Sequence, residues 1–528
     1  MRISQPIQKL LLAYKEEPKR QADSDEQKIN VQMTISRLAY VYERIRNAIE
    51  YKDEHLLRKN AIERMLKRRI YNEGRKKDFG RLLLSELIRA RYLKNNQLPE
   101  SITGEIDAII AKYLSLLKSV APNRLTKERQ KTSNWLLSVL STEIDHHLVS
   151  HKREEALVEC MYRVLRQDID LSKDITDPKE SNYQIFIGIH RALIKSDPAI
   201  VRYHILKFIL PGWFKGEQES LDSFAQHFAT YKKYIDNQVD HPLSGRILRY
   251  VKRYSILFNV LGDVMEKYGR NFESLLDDPE DLEEQIRIAC NKRYKRAKIK
   301  LRRSYVRAII YIFITKMLLA LLLELPYDMF VIHTTNYTPL IINAIFHPVL
   351  MFIIAVSITM PSKKNTDRIV EQFMKVVRRE PKSGFLGKER KSFGRSAFMT
   401  GLFRAIYAIT FLLSYGLLIW AMTLLNFNIV SGMIFIFFFT VISFFGVKLR
   451  GEVRDLIIVG KRTNIFTFTI DFFTVPVIHM GRWISDKSPK INLFLFVLDS
   501  IIEAPLKVVI EALEDWGAYQ REKKEDLY

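Results

Sequence analysis

The densest run of side chains able to hold a metal is EIDHHLVSHKREEALVE, residues 143–159. In it Glu143, His147, His151 and Glu155 recur every four positions, and His146 forms an ExxH pair with Glu143. Imidazoles one helical turn apart can share a divalent ion, with carboxylates completing its shell. On a continuous helix, however, each step of four drifts by about 40°, so Glu143 and Glu155 diverge by about 120°. A di-metal carboxylate bundle would also need a second ExxH, and the chain has none. The expectation is therefore a solvated polar flank with no cofactor. A divalent metal, and with it a metal-dependent membrane enzyme, is the lesser alternative.

A second group of residues draws attention because of where it lies. Lys316 falls about ten residues into an apolar run, where a cation costs about 2.5–3.5 kcal/mol. His347, followed by Pro348, falls in the middle of another, and the proline should free the carbonyl of Ala344 and kink the helix. With Asp471, Asp499 and Glu503 further on, these groups could line an ion or proton path. A structural pair and a packing kink are the simpler reading. Signatures of other chemistry are missing: there is no GxGxxG, Walker A run, HExxH or GxSxG.

These groups sit in a helical framework. Only 20 glycines and 17 prolines occur in 528 residues, which favours helices over turn-rich β architecture and predicts an all-α chain. Cys160 and Cys290 form no CxxC pair, so neither a disulfide framework nor a zinc ribbon is expected. The net charge of +23 suggests a nucleic-acid surface until it is located: residues 1–290 carry 49 basic against 42 acidic side chains. Lys292, Arg293, Lys295, Arg296, Lys298, Lys300, Arg302 and Arg303 add +8 within twelve positions, and residues 361–404 add 12 basic against 4 acidic. Both basic segments border apolar runs, so the expected partner is anionic lipid headgroups rather than nucleic acid.

Four runs approach the roughly 20 apolar residues that a hydrocarbon core demands: 306–325, 337–360, 405–425 and 429–447. Pro326–Asn336 and Asn426–Asn428 contain no Lys or Arg, whereas the connections on the other side are basic. The positive-inside rule then places both termini in the cytoplasm of an inner- or plasma-type membrane, with two short hairpins outside. Asp278 before Pro279, with Glu280 and Asp281 next, is a helix start, and no Pro or Gly follows until Pro326. One continuous helix is predicted from about 279 to 325, with residues 279–305 a basic stalk.

Residues 1–278 predict a domain of amphipathic helices, including 28–50 and an unbroken 127–167. Beyond the fourth run, residues 463–483 suit a re-entrant or interfacial segment, or a short strand. The segment INLFLFVLDSIIEAPLKVVIEALEDWGAY predicts an amphipathic interfacial helix in the 448–528 tail, with an acidic excess suited to pairing with the basic segments. The function these features suggest is a non-enzymatic membrane anchor or scaffold whose cytoplasmic domain binds protein partners, alone or as a homo-oligomer. A transporter or channel using Lys316 and His347, gated by the cytoplasmic domain, is the alternative.

Overall fold

The computed structural model describes residues 4–15, 27–31, 54–72, 78–120, 127–333, 337–378, 397–458 and 465–487, with Tyr40 and Glu43 and without a few positions between 168 and 176. The expected helix at 28–50 falls largely outside them, and the tail helix with Asp499 and Glu503 entirely so. The fold is all-α. Among the described residues no strand forms, and β pairing is confined to a bridge between Lys28 and Pro99. Two compact units divide the chain, Arg2–Phe258 with 268–270 and 259–267 with Asn271–Asn492.

The N-terminal unit contains α1 (Gln5–Lys15), α2 (Glu54–Asn72), α3 (Phe79–Arg89), α4 (Ile102–Val120), α5 (Lys127–Leu148), α6 (Lys152–Leu165), α7 (Pro178–Leu193), α8 (Pro198–Ile209), α9 (Pro211–Lys215), α10 (Gln218–Gln226), α11 (Phe228–Val239) and the first part of α12 (Ser244–Tyr268). Several boundaries follow directly from the sequence. The Asp177 and Asp197 carboxylates cap α7 and α8 by accepting from Lys179 N and Ile200 N, each with proline at the first turn. The hub is α5, which packs on α2, α4 and α8 and is buried from Trp135 to Asp145. A helix buried all round needs its hydroxyls satisfied. Ser138, Ser141 and Thr142 donate to carbonyls of their own helix at Trp135 and Ser138, at 2.7–3.0 Å.

One sequence expectation is corrected here. The helix drawn over 127–167 breaks at Val149-Ser150-His151, where α5 ends and α6 begins. The break lets α6 pack on α1 and α7 while α5 serves a different set of neighbours. It also takes His151 and Glu155 off the helix that carries Glu143 and His147.

The second unit contains α13 (Phe272–Asp277), α14 (Pro279–Leu319), α15 (Tyr337–Ser357), α16 (Lys363–Arg378), α17 (Ala397–Leu424), α18 (Ile429–Arg454) and α19 (Ile465–Lys487). Asp278 accepts from Glu280 N and Asp281 N at 3.0 and 3.1 Å, as its place before Pro279 predicts. The helix then continues beyond the expected stop at Leu325. Wider π turns at Ala320–Glu324 and Asp328–Ile332 flank Pro326 and carry the helix to Ile332, because a longer hydrogen-bond step accommodates a residue with no N–H. Four helices, Pro279–Ile332, Tyr337–Ser357, Gly401–Leu424 and Ile429–Arg454, are long and apolar enough to cross a membrane.

Two further segments change the picture of the connections. Residues 463–483, expected as an interfacial segment or strand, lie mostly in α19, a helix of 23 residues against α17 and α18. A Cβ at Gly481 would stand 2.5 Å from the Thr440 carbonyl oxygen, so glycine is what allows this close approach. The basic segment after α15 contains amphipathic α16, whose Ile369, Val370, Phe373 and Val377 are buried. Asn365 joins three pieces of chain. Its Nδ2 donates to Tyr294 Oη on α14 and to the Leu456 carbonyl, and its Oδ1 accepts from Ile458 N, at 2.8–2.9 Å. Asn365→Leu should leave two backbone groups and a tyrosine hydroxyl short of partners. We expect faster amide exchange in 363–378 and 456–458 with 429–445 unchanged, measured by hydrogen–deuterium exchange in detergent.

Candidate functional site

Lys316 is one end of a polar core shared by three of the long apolar helices. It is 2% exposed, and its Nζ donates to Asn343 Oδ1 on α15 at 2.8 Å. The Asn343 Nδ2 faces Glu324, at 3.1 and 3.2 Å from the two carboxylate oxygens, and the Ser431 carbonyl of α18 at 3.2 Å. Ser431 Oγ also reaches Glu324 Oε2 at 3.3 Å. One amide therefore bridges cation and carboxylate, satisfying a group on each. The Phe438 ring centroid lies 4.8 Å from Lys316 Nζ and supplies a cation–π contact. His347, fully buried, lies one turn beyond Asn343, with Nε2 3.1 Å from the Phe435 carbonyl and Nδ1 3.3 Å from that of Asn343.

A second polar station lies at the far end of the first long helix. Asp328, 2% exposed, accepts from Asn428 Nδ2, while Asn428 Oδ1 caps α18 by accepting from Ser431 N at 2.7 Å. Lys316 and His347 stand out in the sequence, whereas Glu324, Asp328, Asn343 and Ser431 join them only in the folded chain. A signal was present, since Asn343 and His347 share a helix face at four-residue spacing and Glu324 interrupts an apolar run. Asp471 lies on α19, but its side chain, like Asp499 and Glu503, falls outside the described residues.

The basic stalk is not uniform. Lys292, Lys295, Arg296, Lys298, Lys300, Arg302 and Arg303 are exposed. Arg293 departs from the lipid-facing expectation: it is half-buried, forms an ion pair with Asp263, and donates through Nη2 to the Asn259 carbonyl at 2.9 Å. Lys300 lies 3.5 Å from Glu452.

In the N-terminal unit, the residues considered as metal ligands are individually engaged. Glu143 accepts from Lys112 Nζ at 2.7 Å and from Tyr113 Oη at 2.6 Å, and His147 is paired with Glu105. His146 Nδ1 is 3.7 Å from Glu155, and His151 bonds Asp145 at 3.1 Å and Glu154 at 2.9 Å. Among the described residues, no three His, Cys, Asp or Glu side chains are arranged to hold a metal.

The fold instead gathers four imidazoles from separate elements. Ring centroids are 4.3 Å apart for His146 and His151, 5.4 Å for His146 and His204, and 4.4 Å for His190 and His204. Beside them an open cavity of about 560 Å³ is lined by Lys112, Glu143, His146, His147, Tyr203 and Phe214 among others. Burial drives the His146 pKa down to about 3 and that of His190 to about 4, and pushes His204 well below its usual value, with neighbouring histidines adding to the effect on His146 and His204. Burial also opposes the charge on His151, but hydrogen bonds to Asp145 and Glu154 outweigh it and raise the pKa to about 9.

For a lowered histidine pKa, the unfolded chain takes up the proton first, so stability is complete above pH 6.5 and is lost as pH falls towards 4. His151 has the opposite sign: its contribution is complete below pH 6.5 and is lost as pH rises through 9. Three groups outnumber one, so peptides covering 185–206 in the detergent-purified protein should have lower protection factors at pH 5 than at pH 7 once the pH dependence of intrinsic amide exchange is divided out, and His204→Leu should reduce the difference. In the other unit, Lys316→Met strands a buried carboxylate, a loss worth about 3–5 kcal/mol. Adding Glu324→Gln should recover at least half of the fall in detergent thermal stability; no recovery would mean that the two groups act independently.

No protein-family profile, curated protein or solved structure matches this chain.

Proposed function

We propose that this chain is a multi-pass membrane anchor whose four long apolar helices hold a helical, partner-binding domain at the cytoplasmic face. The observation that carries the reading is the closed polar core: Lys316, Asn343, Glu324, Ser431 and His347 all find partners within the protein. A buried polar set of this kind fixes which helix faces meet, because any other pairing leaves a charge or an amide in hydrocarbon. Conduction would need a polar group turned to water. Here each group is turned to another helix, which favours anchoring over a transport path through Lys316 and His347.

The orientation rests on charge. Exposed lysines and arginines cluster on the stalk, around Lys363 and Lys364 and along Lys448–Arg454, whereas Asn426–Asn428 carries none. On this reading residues 1–305 and the connection after α15 lie on the cytoplasmic side of an inner- or plasma-type membrane, with anionic headgroups beside Arg302 and Arg303. The function is read as non-enzymatic, with no resident cofactor and with protein as the principal partner.

The test is labelling and flux together. Cysteines introduced one at a time, Asn426→Cys and Ser362→Cys, should react with an impermeant maleimide from opposite sides of sealed vesicles. Proteoliposomes should show no proton or alkali-cation flux above empty liposomes between pH 5 and 8. Flux that Lys316→Met abolishes would replace this reading with a transporter.

A further inference from the structure

The stalk helix has a face that no described residue covers. At 100° per residue, Ile288, Lys292, Lys295, Arg296, Ile299 and Arg303 fall within an arc of about 100°. All six are exposed, Ile288 and Ile299 by 44% and 43%. Nearby acids are committed to cations outside the arc, Asp263 to Arg293, Glu283 and Asp367 to Arg287 and Glu452 to Lys300, and the exposed Glu284 stands about 12 Å, more than two turns, from Lys292. Lys292 therefore stands one turn from both Lys295 and Arg296 with no described carboxylate to relieve the repulsion, an arrangement that destabilises a helix until an anion arrives.

Distance decides which anion. The first apolar span begins at Val306, and the headgroup layer of one leaflet is only about 5–8 Å deep. At 1.5 Å per residue, Arg303 stands about 4 Å from that edge, Lys292 about 21 Å and Ile288 about 27 Å. Lipid phosphates can therefore serve Arg303, but not the upper part of the face. Nucleic acid is a poor fit as well. The aromatic residue in this stretch, Tyr294, is turned away to Asn365 and Thr366, and the exposed apolar groups are isoleucines, which offer no stacking surface.

We propose that this face docks an acidic amphipathic helix of a partner protein. Ile288 and Ile299, three turns and about 16 Å apart, take apolar side chains at matching spacing, and Lys292, Lys295 and Arg296 take the carboxylates between them. Apolar anchors set the lifetime of such a complex, while the cations set its orientation and salt dependence. The inference rests on reading residues 306–454 as a membrane domain, which fixes the height of the face above the bilayer.

The experiment uses the full chain in nanodiscs of zwitterionic lipid. The probe is a fluorescent glutamate-rich helical peptide with two leucines eleven positions apart, and the control peptide has glutamine in place of both leucines. At about 150 mM salt the leucine peptide should bind at least fivefold more tightly than the control. Ile288→Ser with Ile299→Ser should weaken it at least fivefold, and Lys292→Glu with Arg296→Glu should abolish binding. The proposal is overturned if the serine variant binds equally well, if reversing Glu503, Glu511 and Glu514 to lysine raises peptide binding at least fivefold, which would make the chain's own acidic tail the occupant, or if single-stranded RNA or nanodiscs containing a phosphorylated-inositol lipid displace the peptide. Labelling of Asn426→Cys and Ser362→Cys in sealed vesicles separates the two ideas: same-side labelling defeats the membrane reading, whereas undiminished peptide binding by the serine variant defeats only the docking face.

Discussion

The amide of Asn343 is the junction on which the second unit depends. A lysine and a glutamate inside an apolar bundle are each expensive, and their mutual attraction repays the cost only if the remaining hydrogen-bonding positions are filled. Asn343 fills them from both sides, accepting from Lys316 and donating to Glu324. The neighbouring contacts of His347 with the Phe435 carbonyl and of Ser431 with Glu324 then bring α18 into the same arrangement. In a membrane the register of three helices would be set by these polar contacts, since apolar side chains meet lipid and one another with nearly equal favour.

Around that junction, close packing and caps do the remaining positioning. A Cβ at Gly446 would lie 2.7 Å from Ile354 Cγ2, and the one at Gly481 would reach the Thr440 carbonyl, so two glycines let α15 and α19 approach α18. Asp278 starts the long helix and Asn428 starts α18, each with its own side chain as cap. On the basic side, Asn365 fastens α16 to the stalk and to the chain after α18. The N-terminal unit follows the same rule with different means: its hub helix α5 is buried from Trp135 to Asp145, and Ser138, Ser141 and Thr142 turn their hydroxyls back onto its own backbone.

Much of this was legible in the sequence because it is local. The four apolar runs, the Asp278-Pro279 start and the proline-marked starts of α7, α8 and α9 depend on residues a few positions apart. The site was legible in part: a lysine and a histidine inside apolar runs mark buried polarity, but their partners come from other helices. Asp328 is hidden in the sequence because Pro326 marks an end to the apolar run, whereas π turns carry the helix on to Ile332; Glu324, inside the run, reads as an end-of-span acid until Asn343 and Ser431 are seen to meet it. The His146, His151, His190 and His204 group has no local signature, since it is assembled from α5, α7, α8 and the break before α6. That same break undoes the four-residue periodicity of the proposed metal face. Arg293 looked like its basic neighbours and is distinguished only by Asp263, thirty positions away.

The central claim is that the polar core is sealed against water. Ser431 is fully buried within it and can be exchanged for cysteine with little change in volume, and the native Cys160 and Cys290 are both buried. The most direct measurement is the rate at which Ser431→Cys, in a background with Cys160→Ser and Cys290→Ser, reacts with a small water-soluble thiol reagent in intact proteoliposomes. The sealed core predicts no detectable modification until the protein is denatured. Modification as fast as that of Asn426→Cys at the hairpin would show that water reaches Lys316 and Glu324, and would contradict the account.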